Sequence, residues 1–260
     1  MNITQSKDGT TLSYDVYGNG PTLIYITGAS CFRNFGPIKD DAKIFAKEFT
    51  VYNYDRRGRG DSGDTQPYAV EREVEDIEAL IDAAGGNANL YGHSSGAVLA
   101  LEAALHIPEK INNVVMYDPS YVHDEVEQAT YAQLSQKVHQ HLAEGQNRAA
   151  MQTFLRGIGM PRFFVWLLPL LPGWKTMAAL APTLAYDIEL TKDVPPVERA
   201  TQVSVPVNIV VGEKSPASIH EVAKQLVAAI PDARLEQLAG QDHMVSAKAL
   251  LPVLVKFLQT

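Results

Sequence analysis

The residues best suited to chemistry form a short motif at Gly92–Gly96, GHSSG, which matches the pattern G-x-S-x-G. The motif follows a predicted strand at residues 88–91 and precedes a predicted helix at residues 97–106. A sharp turn between a strand and a helix lifts a serine hydroxyl clear of its neighbours and points the helix N-terminus at it. We therefore predict that Ser94 is a nucleophile.

A serine hydroxyl is a weak nucleophile until a base takes its proton, so the prediction requires a histidine close to Ser94. The chain has seven histidines. His243 is the best placed, because it lies in the loop after the last predicted strand, residues 233–238. The carboxyl ends of parallel strands meet at one edge of a sheet, which brings this loop to the edge that carries Ser94.

Two further motifs complete an ordered set: Thr27–Ser30 (TGAS) and Asp55–Ser62 (DRRGRGDS). With the serine turn and the late histidine, they resemble the α/β-hydrolase superfamily, and the resemblance covers nearly the whole chain apart from residues 121–197. It implies an oxyanion hole built from the backbone N–H groups of Ala29 and Ser95. A histidine is more usual at the position of Thr27, but a backbone role tolerates the change. The resemblance implies no metal and no organic cofactor.

The acid that should orient the histidine is missing from its usual place. The family carries it shortly after the strand predicted at residues 207–211, where this chain has Ser215, which cannot hold a negative charge. Asp118, at the end of the preceding predicted strand, is one candidate. Glu213 and Asp242 are two others. A site without any acid, and therefore slow, is the remaining alternative.

The elements that must position these residues alternate between strand and helix patterns, which predicts a mostly parallel, twisted sheet flanked by helices. Apolar residues at helical spacing over residues 70–84 end at two glycines, as a helix packed on the sheet requires. We predict an α/β-hydrolase core domain formed by residues 1–120 and 198–260. Residues 121–197 carry helical patterns without a convincing strand, and we predict a helical insertion that caps one end of the sheet.

An apolar run at residues 163–171, FFVWLLPLL, lies within that insertion. If all these large apolar side chains faced water, they would form an extended hydrophobic patch. We therefore expect them to cover an apolar surface of the protein or of a ligand. They either pack the insertion onto the core or line a substrate pocket, for which the candidates are Phe164, Trp166, Leu167 and Trp174. Dimerisation through the run, giving a homodimer, is a third possibility.

Composition narrows the class of protein. The 260 residues carry 22 basic and 30 acidic side chains, a net charge of −8, which disfavours nucleic acid as a partner. A single cysteine excludes an internal disulfide. No apolar run is long enough to span a membrane, and the N-terminus lacks an apolar targeting segment. These features predict a cytoplasmic protein.

Together the residues and the resemblance predict a serine hydrolase of the carboxylic ester hydrolase type. Its substrate would be a small apolar ester, thioester or lactone, cleaved through an acyl-enzyme on Ser94 with His243 as the base. Two alternatives remain open. One is a ligand-binding or signalling homologue with weak or no catalysis, and the other is a C–C hydrolase, lyase or cofactor-free perhydrolase of the same fold.

Overall fold

The computed structural model describes residues 1–171 and 173–259. Within them, eight strands form one sheet in the order β1-β2-β4-β3-β5-β6-β7-β8. The strands are β1 (Asn2–Gln5), β2 (Thr11–Tyr17), β3 (Thr22–Ile26), β4 (Thr50–Tyr54), β5 (Ala88–His93), β6 (Ile111–Tyr117), β7 (Val207–Gly212) and β8 (Ala233–Leu238). Strand β2 runs antiparallel to both of its neighbours, and β3 to β8 are parallel. The predicted α/β class with a mostly parallel sheet is confirmed.

Helices cover both faces of this sheet. They are α1 (Gly36–Phe45), α2 (Val70–Ala83), α3 (Ser95–His106), α4 (Glu125–Ala143), α5 (Asn147–Gly157), α6 (Arg162–Leu167), α7 (Trp174–Ala179), α8 (Leu184–Thr191), α9 (Val197–Ala200), α10 (Ala217–Ala229) and α11 (Ala247–Leu258). Helices α2, α3 and α10 bury their apolar sides in one core cluster, and α1 and α11 in another. Strand residues alternate between the two clusters, because successive side chains of a strand point to opposite faces.

Two elements escaped prediction from the sequence. Strand β1 is a polar edge strand whose four residues are mostly exposed, so it carries no apolar alternation. Helix α1 begins at Gly36 and Pro37, a pair typical of a turn, and buries only Ile38, Ala42 and Phe45. Proline is nevertheless favoured in a first helical turn, where its missing N–H costs nothing.

Between β6 and β7 the chain forms helices α4 to α9. We call residues 121–197 the insertion, and its residues 121–171 and 173–197 contain no strand. The insertion has a third apolar cluster of its own, built mainly from α5, α7 and α8. Its boundaries as a separate domain stay a prediction. Across the part of the chain that the model describes, no helix combines the length and the apolar character needed to cross a membrane.

Candidate active site

Ser94 occupies the turn between β5 and α3 in a strained backbone conformation, with φ 59° and ψ −123°. Non-glycine residues rarely adopt positive φ, so the surrounding contacts must hold it there. Gly92 and Gly96 make the turn possible. A Cβ at Gly92 would overlap the backbone of Gly96, and one at Gly96 would overlap the carbonyl of Ile26.

Three side chains from separate loops meet at this edge of the sheet. The Oγ of Ser94 lies 3.2 Å from Nε2 of His243, and Nδ1 of the same ring lies 3.0 Å from Oδ2 of Asp118. Asp118 is fully buried, whereas 35% of the His243 side chain is exposed. With Nδ1 protonated and donating to Asp118, Nε2 can accept the Ser94 proton.

The residue in the usual acid position supports the relocated acid. The hydroxyl of Ser215 donates to Oδ2 of Asp118 at 2.6 Å, and the N–H of Gly212 donates to Oδ1 at 3.1 Å. Both donors fix the orientation of the buried carboxylate. Asp118 itself has a φ of 46°, which turns the chain at the end of β6.

The other two acid candidates bind the loop that carries the histidine. A carboxylate oxygen of Glu213 accepts the N–H of Gly240 at 2.6 Å, and one of Asp242 accepts the N–H of Met244 at 2.9 Å. These contacts are with backbone and not with the imidazole. The geometry therefore brings Asp118, and neither of its rivals, to the His243 ring.

Ser120 also reaches the nucleophile, and sequence reasoning missed it. Its Oγ lies 3.0 Å from Oγ of Ser94 and donates to the carbonyl of Asp118 at 3.2 Å. The signal in the sequence is its position two residues after Asp118, on the turn that follows β6.

His93, which precedes Ser94 on the turn, contacts the loop that carries His243. Its Nε2 lies 2.8 Å from the carbonyl of His243, to which it donates when that nitrogen is protonated. The two rings lie 5.0 Å apart. Burial, and then the neighbouring imidazole, lower the pKa of His93 to about 4. His93 is thus neutral at physiological pH.

The candidate oxyanion residues flank the serine. Ser95 is the first residue of α3, where helix N–H groups and the helix dipole favour negative charge. A Cβ at Gly28 would come within 2.9 Å of the Cβ of Ser94, so the loop carrying Ala29 runs directly past the nucleophile. Ala29 also packs against the apolar cluster of the insertion.

A buried ionic cluster ties this region to α8 of the insertion. We call Arg56, Arg59, Asp187 and Ser95 the Asp187 cluster. Asp187 accepts from Arg56 at 2.9 Å, from Arg59 at 2.8 Å through both oxygens, and from the Ser95 hydroxyl at 2.7 Å. Burial raises the pKa of Asp187, but Arg59 and Arg56 outweigh it and hold the pKa below its usual value.

The arginines of the cluster also reach the loop before Ala29. Arg59 donates to the carbonyl of Gly28 at 2.7 Å, and Arg56 to that of Thr27 at 3.3 Å. The family-like DRRGRGDS motif indicated the arginines, but nothing in the sequence marked Asp187, which lies 128 residues from Arg59.

The expectation that the apolar run covers an apolar surface is wrong for most of its residues. Phe164 is 46% and Trp166 is 64% exposed, Leu167 is half-buried, and only Trp174 is buried, inside the insertion's own cluster. The reason is geometric, because the six-residue helix α6 turns only Val165 inward.

Comparison with curated proteins gives partial matches to hydrolases. An uncharacterised hydrolase of Bacillus subtilis is 29% identical over 122 residues, which cover 45% of this chain and 44% of that protein. A putative carbamate hydrolase of Azorhizobium caulinodans is 28% identical over 107 residues, 40% of each chain. The chain thus matches less than half the length of either relative.

Solved structures match over the whole chain. An alpha/beta hydrolase from Sphaerobacter thermophilus is 39% identical, with a TM-score of 0.89 over 99% of this chain and 100% of that one. An enol-lactonase from Burkholderia xenovorans shares the fold, with a TM-score of 0.71 over all of both chains at 20% identity. The model of the alpha/beta hydrolase family matches residues 18–250, and the chain belongs to that family.

Proposed function

We propose that the protein is a serine hydrolase that cleaves small apolar carboxylic esters, thioesters or lactones through an acyl-enzyme. The observation that carries the proposal is the continuous contact from Ser94 Oγ through the His243 ring to Asp118. That arrangement activates a nucleophile and then returns the proton to a leaving group.

In the first half-reaction, Ser94 Oγ attacks the carbonyl carbon while its proton passes to Nε2 of His243. The resulting imidazolium is stabilised by the buried Asp118 carboxylate. The tetrahedral oxyanion is held by the N–H groups of Ala29 and Ser95. The intermediate collapses as the C–O bond, or the C–S bond of a thioester, breaks and the leaving oxygen or sulfur takes the proton from Nε2. A water molecule then gives a proton to Nε2 and attacks the acyl carbon. The second intermediate collapses as the acyl C–O bond to Ser94 breaks, Nε2 returns the proton to Ser94 Oγ, and the acid leaves.

The proposal of an apolar substrate is supported by the contacts between the insertion and the loop after Gly28, which runs past Ser94. Ala29 and Phe32 pack against the apolar cluster of the insertion, and the Ser30 hydroxyl lies 3.4 Å from the sulfur of Met151 in α5. We propose that the insertion acts as a cap and supplies an apolar wall to the acyl or alcohol side of the substrate. An enol-lactonase and two esterases among the proteins of the same fold are consistent with this class.

The test is covalent labelling with a small fluorophosphonate, read as intact mass. We expect a single adduct on the native protein and none on Ser94→Ala. Ser204→Ala, which removes an exposed serine far along the chain, is the matched control and should label like the native protein. No adduct on correctly folded native protein would contradict the proposal.

An ester panel then separates the proposal from a non-catalytic homologue. The main argument for a ligand-binding homologue is that position 215, where the family usually has its acid, carries a serine. Because Ser215 donates to Asp118, that substitution is compatible with a complete catalytic set. Labelling of Ser94 without turnover of any ester, thioester or lactone would favour the C–C hydrolase, lyase or perhydrolase alternative.

A further inference from the structure

Three highly exposed large apolar side chains of the insertion form a stripe on α6 and the turn after it. Phe163 is 72%, Trp166 is 64% and Leu170 is 74% exposed. They follow one another at intervals of three and four residues, which places them on one side of a helical segment. The rings of Phe163 and Trp166 stack with centroids 6.2 Å apart. Phe164 and Leu171 border this apolar stripe, with nearly half of each side chain exposed.

The charge around the apolar stripe is opposite to that of the whole chain. Residues 145–186 contain no aspartate or glutamate, although the protein has a net charge of −8. The basic residues of this stretch are all exposed: Arg148, Arg156, Arg162 and Lys175. None of the four has an ion-pair partner among residues 1–171 and 173–259, whereas Arg33, Arg56, Arg57 and Arg59 in the core are all paired.

Two of these cations line a concavity. Arg148, at the start of α5, and Lys175, in α7, face an open cleft of about 490 Å³ that also contains Gln146 and Asn147 at the N-terminal end of α5. Its cationic walls are suited to an anionic group that is presented from outside the protein.

We propose that this face of the insertion docks on an anionic lipid bilayer. Exposed aromatic and aliphatic side chains enter the boundary between headgroups and acyl chains, where tryptophan is favoured. Arg162, which precedes Phe163 in the chain, and the other unpaired cations of residues 145–186 are attracted by anionic headgroups. The absence of acidic residues from this stretch reduces the repulsion that the rest of this acidic protein would meet. The occupant is a lipid surface because the patch combines both properties, exposed apolar side chains and unpaired cations.

The two tryptophans of the chain allow a direct test with the intact protein. Trp166 is 64% exposed and Trp174 is 5% exposed, so vesicle binding should blue-shift the emission of Trp166. We expect the shift, and co-sedimentation, with vesicles of phosphatidylcholine containing phosphatidylglycerol. Binding to pure phosphatidylcholine should be at least about tenfold weaker. Trp166→Phe should still sediment with the mixed vesicles but lose the shift.

Paired variants separate the apolar and the cationic contributions. Phe163→Ser with Leu170→Ser should abolish sedimentation, while Ile3→Ser with Val126→Ser, which alters equally exposed residues elsewhere, should not. Arg162→Glu with Lys175→Glu should weaken binding by about tenfold or more. Lys47→Glu with Lys248→Glu changes the net charge equally at exposed sites outside the insertion and should have little effect.

Three outcomes would overturn the proposal. The first is no binding to anionic vesicles by folded native protein. The second is equal weakening by both charge-reversal pairs, which would show that net charge and not this face controls the contact. The third is a blue shift that grows with protein concentration in the absence of lipid together with a dimer on gel filtration, which would make a second copy the occupant.

Discussion

Asp118 and Asp187 are both carboxylates with almost no exposed surface. Asp118 reaches the serine turn through the ring of His243, and Asp187 binds the hydroxyl of Ser95 directly. Their partners differ in kind. Asp118 accepts from a backbone N–H, a serine hydroxyl and an imidazole, with no permanent cation. Asp187 accepts from two arginines, Arg56 and Arg59, whose charges do not change at any ordinary pH.

The difference separates two uses of a buried carboxylate. In the proposed mechanism, the charge of Asp118 has its greatest effect when His243 becomes an imidazolium, so it would stabilise the transition state more than the resting state. The charge of Asp187 is neutralised permanently, so it fixes positions: it joins α8 to Ser95 and, through Arg59, to Gly28. We expect loss of the first charge to affect rate, and loss of the second to affect stability.

The largest effect should follow from Asp118→Asn. The amide cannot stabilise the imidazolium and can turn a donor toward the ring, so kcat should fall by about 10⁴-fold. The free energy of unfolding should change less than in Asp187→Asn, because the side chain keeps its size, its amide oxygen can still accept from Gly212, and the Ser215 hydroxyl can turn to accept from the amide. Steady-state ester hydrolysis and urea denaturation on the same preparations measure both quantities.

Asp242→Asn is the matched control, since it alters the carboxylate next to His243 that binds only backbone. Its kcat should stay close to that of the native protein. An unchanged rate in Asp118→Asn, or a large loss in Asp242→Asn, would show that the acid has been assigned to the wrong residue.

Asp187→Asn tests the other half of the comparison. The substitution leaves Arg59 without a carboxylate partner, while Arg56 keeps its buried pair with Glu73. Breaking a buried ion pair in this way typically costs about 3–5 kcal/mol of stability. Urea denaturation should detect this loss, and Glu189→Gln, at an exposed position of the same helix, should not produce it. If Asp187→Asn instead lowered kcat as strongly as Asp118→Asn at full stability, the distinction between the two carboxylates would fail.

The same contrast explains what could be predicted from sequence. Ser94 and His243 sit in loops that follow predicted strands, and the carboxyl ends of parallel strands meet at one edge of a sheet, which is enough to bring the two residues together. Asp118 could be proposed for the same reason, but choosing it over Glu213 and Asp242 required the side-chain directions. All three follow strands or precede the histidine in ways that look equivalent in a linear sequence.

Asp187 lies beyond such reasoning. It occupies a helix of the insertion, whose packing on the core depends on contacts across more than 120 residues of chain. The apolar run shows the opposite failure. Its composition predicted burial, but the short helix α6 can turn only one of its sides inward, so Phe163 and Trp166 stay exposed.

The pH dependence of the free energy of unfolding should distinguish the serine turn, through His93, from the Asp187 cluster. The folded-state pKa of His93 is about 4, below its ordinary value of 6.5, so the unfolded chain binds the proton more readily. The contribution of neutral His93 to the free energy of unfolding is complete above pH 6.5. It is lost as the pH falls toward 4, by about 1.4 kcal/mol per pH unit. The pKa of Asp187 is lowered as well, so its contribution persists above the ordinary value of 3.8 and is lost only in stronger acid.

His93→Gln isolates this contribution. Glutamine can still donate an N–H to the carbonyl of His243 but does not titrate. Urea denaturation between pH 7 and 4.5 should give a shallower loss of stability for the variant than for the native protein. Parallel curves would mean that His93 accepts a proton in the folded state.

The smallest effect should come from Ser215→Ala, which removes the 2.6 Å hydrogen bond to Asp118 and leaves that of Gly212 in place. A hydrogen bond to a charged group contributes about 1.5–3 kcal/mol, part of which supports the orientation of the carboxylate toward His243. We expect kcat to fall by about tenfold, far less than for Asp118→Asn, and Ser215→Thr to restore most of it by supplying the same hydroxyl.

Ser215→Ala combined with Asp118→Asn should be no slower than Asp118→Asn alone, because the serine acts through the carboxylate. Additive losses in that double variant would instead give Ser215 a role of its own at the site.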